Sequence, residues 1–168
     1  RENGQKWAEE NFKDGKRDGK LIFWFDSGRK ASEINYKDDK EVSKTTYGYY
    51  ENGQKEGEEN FKDGKKDGKT TIWHVNGQKK VEENYKDGKK DGKSTGWTEN
   101  GQKLIEVNYK DDKEVSQTRY KYYDNGQKQR EGNFKDGKKD GKWTYWYENG
   151  QKWAEENFKD GKKDGKST

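Results

Sequence analysis

The chain has no cysteine, no proline, a single histidine and few apolar residues. Without cysteine there is no disulfide framework and no thiolate metal site, and the redox compartment stays open. Without proline, nothing breaks a continuous β-ladder. Around the one histidine nothing supports a Ser-His-Asp arrangement, and without cysteine there is no Cys-His pair. No apolar run approaches the length of a membrane span, and no signal peptide is visible. Only 23% of residues are hydrophobic and 43% are charged, proportions that ordinarily belong to disordered chains. Against disorder stand the aromatic residues, 14% of the chain. They recur in phase, and each can bury a large area in a thin sheet.

The net charge of +4 comes from 38 basic and 34 acidic residues, finely interleaved. A nucleic-acid binder would gather its cations onto one stripe, so nucleic acid is disfavoured as a partner. Interleaving reads instead as a solvated surface.

What the chain does have is repetition. The tetrapeptide Asn-Gly-Gln-Lys, once varied to Ser-Gly-Arg-Lys, begins at Asn3, Ser27, Asn52, Asn76, Asn100, Asn125 and Asn149, at spacings of 24 or 25 residues. A fixed period of this length marks a repeat architecture in which each unit buries its apolar face only against its neighbours. The expected organisation is one array over residues 1–168. Both ends interrupt a unit: Arg1 stands where Tyr147 stands before its turn, and Ser167-Thr168 stop where Ser94-Thr95 begin a strand. The expectation is therefore a segment of a longer array. Its compartment is open, with cell surface and cytoplasm equally compatible.

One unit, from Asn125 to Glu148, shows the pattern. Asn125-Gly126 is a strong hairpin signal, because both residues tolerate positive φ. A strand ending Glu131-Gly-Asn-Phe-Lys135 follows, then Asp136-Gly-Lys-Lys-Asp-Gly141, two Asp-Gly turn dipeptides around lysines. A second strand, Trp143-Thr-Tyr-Trp-Tyr147, leads to the next Asn-Gly. Two strands and two turns per unit predict an all-β antiparallel meander of about seven hairpins, single-layered and elongated. Helix is excluded by the period of two and by the recurrent glycine.

Aligning the copies yields two aromatic rows. The first strand carries Phe12, Tyr36, Phe61, Tyr85, Tyr109, Phe134 and Phe158. The second carries Trp24, Tyr49, Trp73, Trp97, Tyr122 and Trp146, three places before the turn. Both rows are expected on one face as structural ladders. A second set, Phe25, Tyr50, Tyr123 and Tyr147, is expected on the other face, exposed, as the candidate interaction surface. Glu9 and its equivalents Glu33 and Glu58 would form a like-charge ladder unless they meet solvent or lysines of adjoining strands. Two units differ from the rest. Lys37-Asp-Asp-Lys-Glu-Val-Ser43 returns as Lys110-Asp-Asp-Lys-Glu-Val-Ser116, replacing the Gly-rich loop. The period of 73 reflects duplication of a three-unit block, or a lateral contact repeated along the molecule.

Other motifs reduce to structure. His74 stands where Phe25, Tyr50 and Thr98 stand in other copies, a strand substitution rather than a base or ligand. The Asp63-Gly-Lys-Lys-Asp67-Gly loops lack the dense oxygen ligands of calcium loops and place lysines between their carboxylates. Glu9 and Glu10 point to opposite faces of a strand, the wrong geometry for glycosidase chemistry. The loops with Lys65-Lys66, Lys89-Lys90, Lys138-Lys139 and Lys162-Lys163 line one edge as a solvated rim, whose field the adjacent aspartates largely cancel, so contact with a membrane surface is not favoured.

Gly141 to Lys152 (Gly-Lys-Trp-Thr-Tyr-Trp-Tyr-Glu-Asn-Gly-Gln-Lys) together with Glu131 to Gly141 resembles the bacterial variant of the MORN repeat, and the resemblance covers the whole chain in seven registered copies. It implies a twisted single-layer sheet of hairpins acting as a scaffold or binding module, antitoxin-like in some bacterial members, with no shared catalytic residues. The Val42 and Val115 loops depart from the Gly-rich pattern. The hairpins also resemble, more weakly, choline-binding and cell-wall-binding solenoids, whose Trp and Tyr hold quaternary ammonium groups or sugars. The sequence thus predicts a non-enzymatic scaffold without cofactor or metal. Its partner is a protein or another copy of the chain, joined head to tail through open terminal strands. The alternative is a carbohydrate or cell-wall module.

Overall fold

The computed structural model describes residue 4 and residues 6–165. Arg1, Asn3 and Ser167-Thr168, named above, lie outside the described residues. The strands are antiparallel, each bonded to a neighbour in sequence, and no helix occurs among the described residues. The chain divides into two compact units, Arg1–Lys89 and Lys90–Thr168. In the first, β1 (Ala8–Lys13), β2 (Lys16–Trp24), β3 (Lys30–Lys37), β4 (Lys40–Tyr49), β5 (Lys55–Lys62), β7 (Gly68–Trp73) and β8 (Lys79–Lys86) follow one another across the sheet, and the short β6 (Lys65–Lys66) pairs with β5. The two-residue β9 (Lys89–Lys90) falls at the division. In the second unit the order is β10 (Gly92–Trp97), β11 (Lys103–Lys110), β12 (Lys113–Tyr122), β13 (Lys128–Lys135), β14 (Lys138–Trp146), β15 (Lys152–Lys159) and β16 (Lys162–Lys163).

Two turns alternate. At the Asp-Gly turns both residues have positive φ, 49° and 72° at Asp63 and Gly64, the two-residue geometry that matches strand twist. The Asn-Gly turns differ from expectation. Only the glycine is left-handed, at 88° for Gly53. Gly53 N–H donates to Tyr50 O, and Tyr50 N–H to Gln54 O. This is a type I turn closed by a glycine bulge. Asparagine is used for its side chain: Oδ1 of Asn52 accepts Gln54 N–H at 3.0 Å, and Nδ2 reaches Val75 O, one copy on, at 3.0 Å.

The second Asp-Gly of each loop is not a turn. It is a bulge inside the second strand: Glu10 pairs with Leu21 while Phe12 pairs with Arg17, leaving Asp18, Gly19 and Lys20 opposite Asn11. Asn11 Nδ2 caps the bulge by donating to Lys20 O at 3.0 Å, and Asn60 does the same to Lys69 O at 2.6 Å. In the two variant copies the bulge shortens to one residue, and Ser43 or Ser116 Oγ accepts from Asn35 or Asn108.

Another extra residue follows each Asn-Gly turn. Phe23 pairs with Ser32 and Trp24 with Lys30, so Ala31 has no opposite number. A one-residue insertion exchanges the two faces of everything beyond it. The expectation that both aromatic rows share a face is thereby corrected. In each unit the Phe/Tyr row lies on one face, with Leu21 and Ile34 in the first and Val107 and Trp143 in the second; the other row, Trp24, Tyr49 and Trp73 in the first and Trp97, Tyr122 and Trp146 in the second, lies on the opposite face.

The apolar core is thin and sits on the Phe/Tyr face: Leu21, Ile34, Val107, Trp143 and Phe158 are its buried members. Large and small residues alternate across strands to fill it. Gly132 opposes Trp143, and Ser94 opposes Val107. Phe12 of the same row is 60% exposed, while Tyr36, Phe61, Tyr85, Tyr109 and Phe134 are half-buried.

Candidate interaction surface

The face bearing the Trp/Tyr row is built on ion pairs. Glu33, Glu82 and Glu155 each sit between two lysines, Lys20 and Lys30, Lys69 and Lys79, Lys142 and Lys152. One lysine of each pair comes from the adjoining strand and the other from the glutamate's own strand, and together they resolve the expected like-charge ladder. The lysine of the repeated tetrapeptide does double duty. Lys55 bonds Glu58 at 2.8 Å and stands 5.2 Å from the ring centres of both Tyr47 and Trp73, and Lys128 repeats this with Glu131, Tyr120 and Trp146. Glu106 is the most connected carboxylate. Burial opposes its ionisation, but hydrogen bonds from Tyr120, Lys103 and Lys93 outweigh it and hold the carboxyl at about 2. In return, burial and the Glu106 bond raise the Tyr120 phenol above its ordinary range.

On the opposite face, the second cation of each loop turns inward. Arg17, Lys66, Lys90 and Lys139 stand over Tyr36, Tyr85, Tyr109 and Phe158 of the following copy, at 4.5 to 5.2 Å, and Lys66 also pairs with Glu59 at 2.7 Å. Half of the lysine rim expected from sequence is therefore structural. The other half, Lys65 and its equivalents, remains exposed at the tips.

The variant loops are bonded to the loop of the preceding copy. Asp39 N–H donates to Arg17 O, and Arg17 N–H donates back to Asp39 Oδ1 at 2.8 Å; Asp112 and Lys90 repeat the exchange. This link explains an aspartate at φ 63° where other copies have glycine.

The four sequence-predicted surface residues fall just beyond the strand ends, and they divide. Phe25 and Tyr147 are exposed, at 44% and 55%. Tyr50 and Tyr123 are half-buried, and their hydroxyls donate to Trp73 O and Trp146 O at 2.6 and 2.8 Å. These two tie one turn to the next copy instead of facing solvent, because the turn folds back along its neighbour.

Sequence reasoning passed over Trp153 and Trp7, which occupy the bulge position held by Ala31, Glu56, Lys80 and Leu104 elsewhere. The signal was present: a tryptophan in a slot that no ring occupies in the other copies. Trp153 extends a strip of rings in the second unit, Trp143, Tyr145, Trp153 and Tyr147, with successive centroids 6.2, 5.3 and 6.1 Å apart. Its buried end is Trp143, at 4% exposure, and its open end is Trp153 and Tyr147, at 50% and 55%. In the first unit Trp7, 57% exposed, meets Phe23 at 5.8 Å.

Among the described residues no three His, Asp or Glu side chains are grouped as a metal site. No helix among the described residues is long and apolar enough to cross a membrane.

Comparison with curated proteins gives no match. The family profile of the MORN repeat variant matches six stretches, residues 17–38, 44–63, 66–87, 90–111, 118–136 and 139–160. Each spans the hairpin closed by an Asn-Gly or Ser-Gly turn together with the Asn-Phe/Tyr-Lys-Asp segment that follows it, and together they cover most of the chain. The chain belongs to the MORN repeat variant family.

Proposed function

We propose that this protein is a non-enzymatic repeat scaffold that binds another protein through the open end of its ring strip, Tyr145, Trp153 and Tyr147. MORN repeats are generally associated with scaffolds that bind proteins or membranes and are typically non-enzymatic. The observation that carries the reading is the strip itself. It begins in the core at Trp143 and ends at two rings about half exposed. Rings held rigidly by a core lose little freedom on binding, and aromatic anchors of this kind concentrate binding energy at protein interfaces. Phe25, packed edge-on against Tyr49 at 6.1 Å, offers a smaller patch of the same character in the first unit.

The test is affinity capture with wild-type protein and a Tyr147→Ala/Trp153→Ala variant at matched folding. Loss of a protein captured by wild type, with melting changed by less than about 1 kcal/mol, supports the reading. Equal capture by both removes the strip as the site. Capture of a glycan in place of protein returns the carbohydrate alternative.

A further inference from the structure

The chain carries two versions of one block. Residues 27–92 return, with substitutions, as residues 100–165, and the variant loop falls at the same place in both. On the Trp/Tyr face the strand residues of the two blocks are identical. Glu33, Thr45, Tyr47, Lys55, Glu58 and Trp73, for example, return as Glu106, Thr118, Tyr120, Lys128, Glu131 and Trp146. The blocks differ on the opposite face. There Thr46, Gly48 and Gly57 return as Arg119, Lys121 and Arg130, and Glu56 and Glu59 return as Gln129 and Gly132. Lys44 and Lys80 return as Gln117 and Trp153, so the face gains three positive charges net. A sheet that folds with threonine and glycine at these positions does not need arginine and lysine there.

The gained cations adjoin the ring strip. Arg130 stands directly across from Tyr145, and Lys121 directly across from Arg130. Lys121, Arg130, Tyr145 and Ala154 thus form one row across four strands, with Trp153 next in the chain to Ala154. Like charges facing each other across a ladder are destabilising. Nothing offsets this pair: both residues are exposed, and neither makes an ion pair among the described residues. Glu156 of the same face is already held by Lys163 and by the Tyr145 hydroxyl. The acids of the neighbouring turns, Asp124 and Glu148, are bonded to neither cation. Arg119 differs, since it lies over Phe134 at 4.9 Å and shares a shallow hollow with Glu114 and Asp136.

We propose that Lys121, Arg130 and the open rings form one site, whose occupant is an acidic polypeptide segment. Its carboxylates lie on the two cations and an apolar side chain lies against Tyr145, Trp153 and Tyr147. The row spans three strand separations, about 14 Å, which an extended segment of about four or five residues covers. This inference rests on the ring strip being the protein-binding site and adds the chemistry of the partner. The rings themselves favour polypeptide over nucleic acid. They touch one another, tilted by 39° and 40°, and form one apolar strip rather than separate platforms for successive bases. Two uncompensated cations also fall short of the basic clusters that hold anionic lipid.

Random peptides displayed on phage and selected on the whole chain test it, each selected sequence then being synthesised with a fluorescent label. Expected are peptides rich in aspartate and glutamate that also carry Phe, Trp or Leu, with binding read by fluorescence anisotropy. Lys121→Glu/Arg130→Glu should weaken that binding about tenfold or more. Salt at about 1 M should weaken it too, because the screening length falls to about 3 Å. Tyr147→Ala/Trp153→Ala should abolish it. Should the reversed variant lose its β-sheet circular dichroism, Lys121→Gln/Arg130→Gln replaces it and must weaken binding. Selected peptides that need the two rings but ignore Lys121 and Arg130 overturn the proposal and leave the ring strip standing as a protein site. Acidic peptides that need the cations but ignore the rings sink the ring reading, and the joint site with it. Selection of neutral or basic peptides, or of none, overturns the proposal. Binding of labelled oligothymidine that Lys121→Glu/Arg130→Glu removes, with no acidic peptide selected, would assign the cations to nucleic acid and likewise overturn it.

Discussion

Replacing Gly132 with alanine adds one methyl group, and the structure leaves no room for it. The new Cβ would lie 2.2 to 2.5 Å from three ring carbons of Trp143, well inside contact distance. Gly132 is in extended backbone, outside the left-handed region, so the whole effect is packing. Trp143 cannot step aside cheaply. Its ring is held by Phe134 at 5.1 Å and Phe158 at 6.0 Å, its Nε1 donates to Asn133 O at 3.0 Å, and Lys139 Nζ stands 4.0 Å above it. Overpacking of this kind costs about 1–3 kcal/mol. In a unit of this size that lowers Tm by about 4–20 °C. Gly57 supplies the control: an added Cβ there meets nothing within 4 Å, so Gly57→Ala should be neutral or slightly stabilising, by up to about 1 kcal/mol. Differential scanning fluorimetry with tryptophan emission reads both. The two positions should also be coupled. Gly132→Val with Trp143→Ser exchanges large for small across one cross-strand pair, and the double variant should be less destabilised than the sum of its singles by at least about 1 kcal/mol. Equal Tm for the two alanine variants, or strict additivity in the double, would refute it.

Further outcomes follow from single contacts. Gly68→Ala forces a side chain into φ 91° at the in-strand bulge and should cost about 1–2 kcal/mol, read by chemical denaturation. Tyr50→Phe removes the donor to Trp73 O and should cost about 1 kcal/mol. Glu106, depressed to about 2 when folded, contributes stability that is complete above its unfolded value near 4.5 and is lost as pH falls from there through 2. The shift bounds this at about 3 kcal/mol, screening reduces it to about 1–2, and a Glu106→Gln variant should show a flatter stability profile between pH 5 and 2 in urea titrations. Tyr147→Ala/Trp153→Ala should lose partner capture with little change in melting.

Most of the architecture is legible in the residues. The recurrence of Asn-Gly and Asp-Gly at 24 or 25 residues calls for hairpins, and Glu33 with its equivalents calls for lysine partners, which Lys20 and Lys30 supply. The facing of the two aromatic rows was not legible by simple alternation. A single residue inserted after each turn, such as Ala31, reverses the parity, and nothing in alanine announces a bulge. The two turn types were hidden for a related reason: Asn and Asp both tolerate positive φ, and only the asparagine bonds to Gln54 and Val75 show why Asn52 stays right-handed. Tyr50 and Tyr123 looked like surface because alignment by copy does not show that a turn lies against the next. Trp153 escaped notice because it breaks the repeat, the very property that marks it as special.

In the proposed function the open rings beside the core, not the lysine tips or the ion-pair face, meet the partner. Site-specific photocrosslinking measures this directly, with benzoylphenylalanine placed at Trp153, at Lys65 and at Ile22 in otherwise native chains. Expected is a discrete crosslink from position 153 to a polypeptide other than this chain, and none to such a polypeptide from the other two. A crosslink from position 22 or 65 with position 153 silent would contradict it.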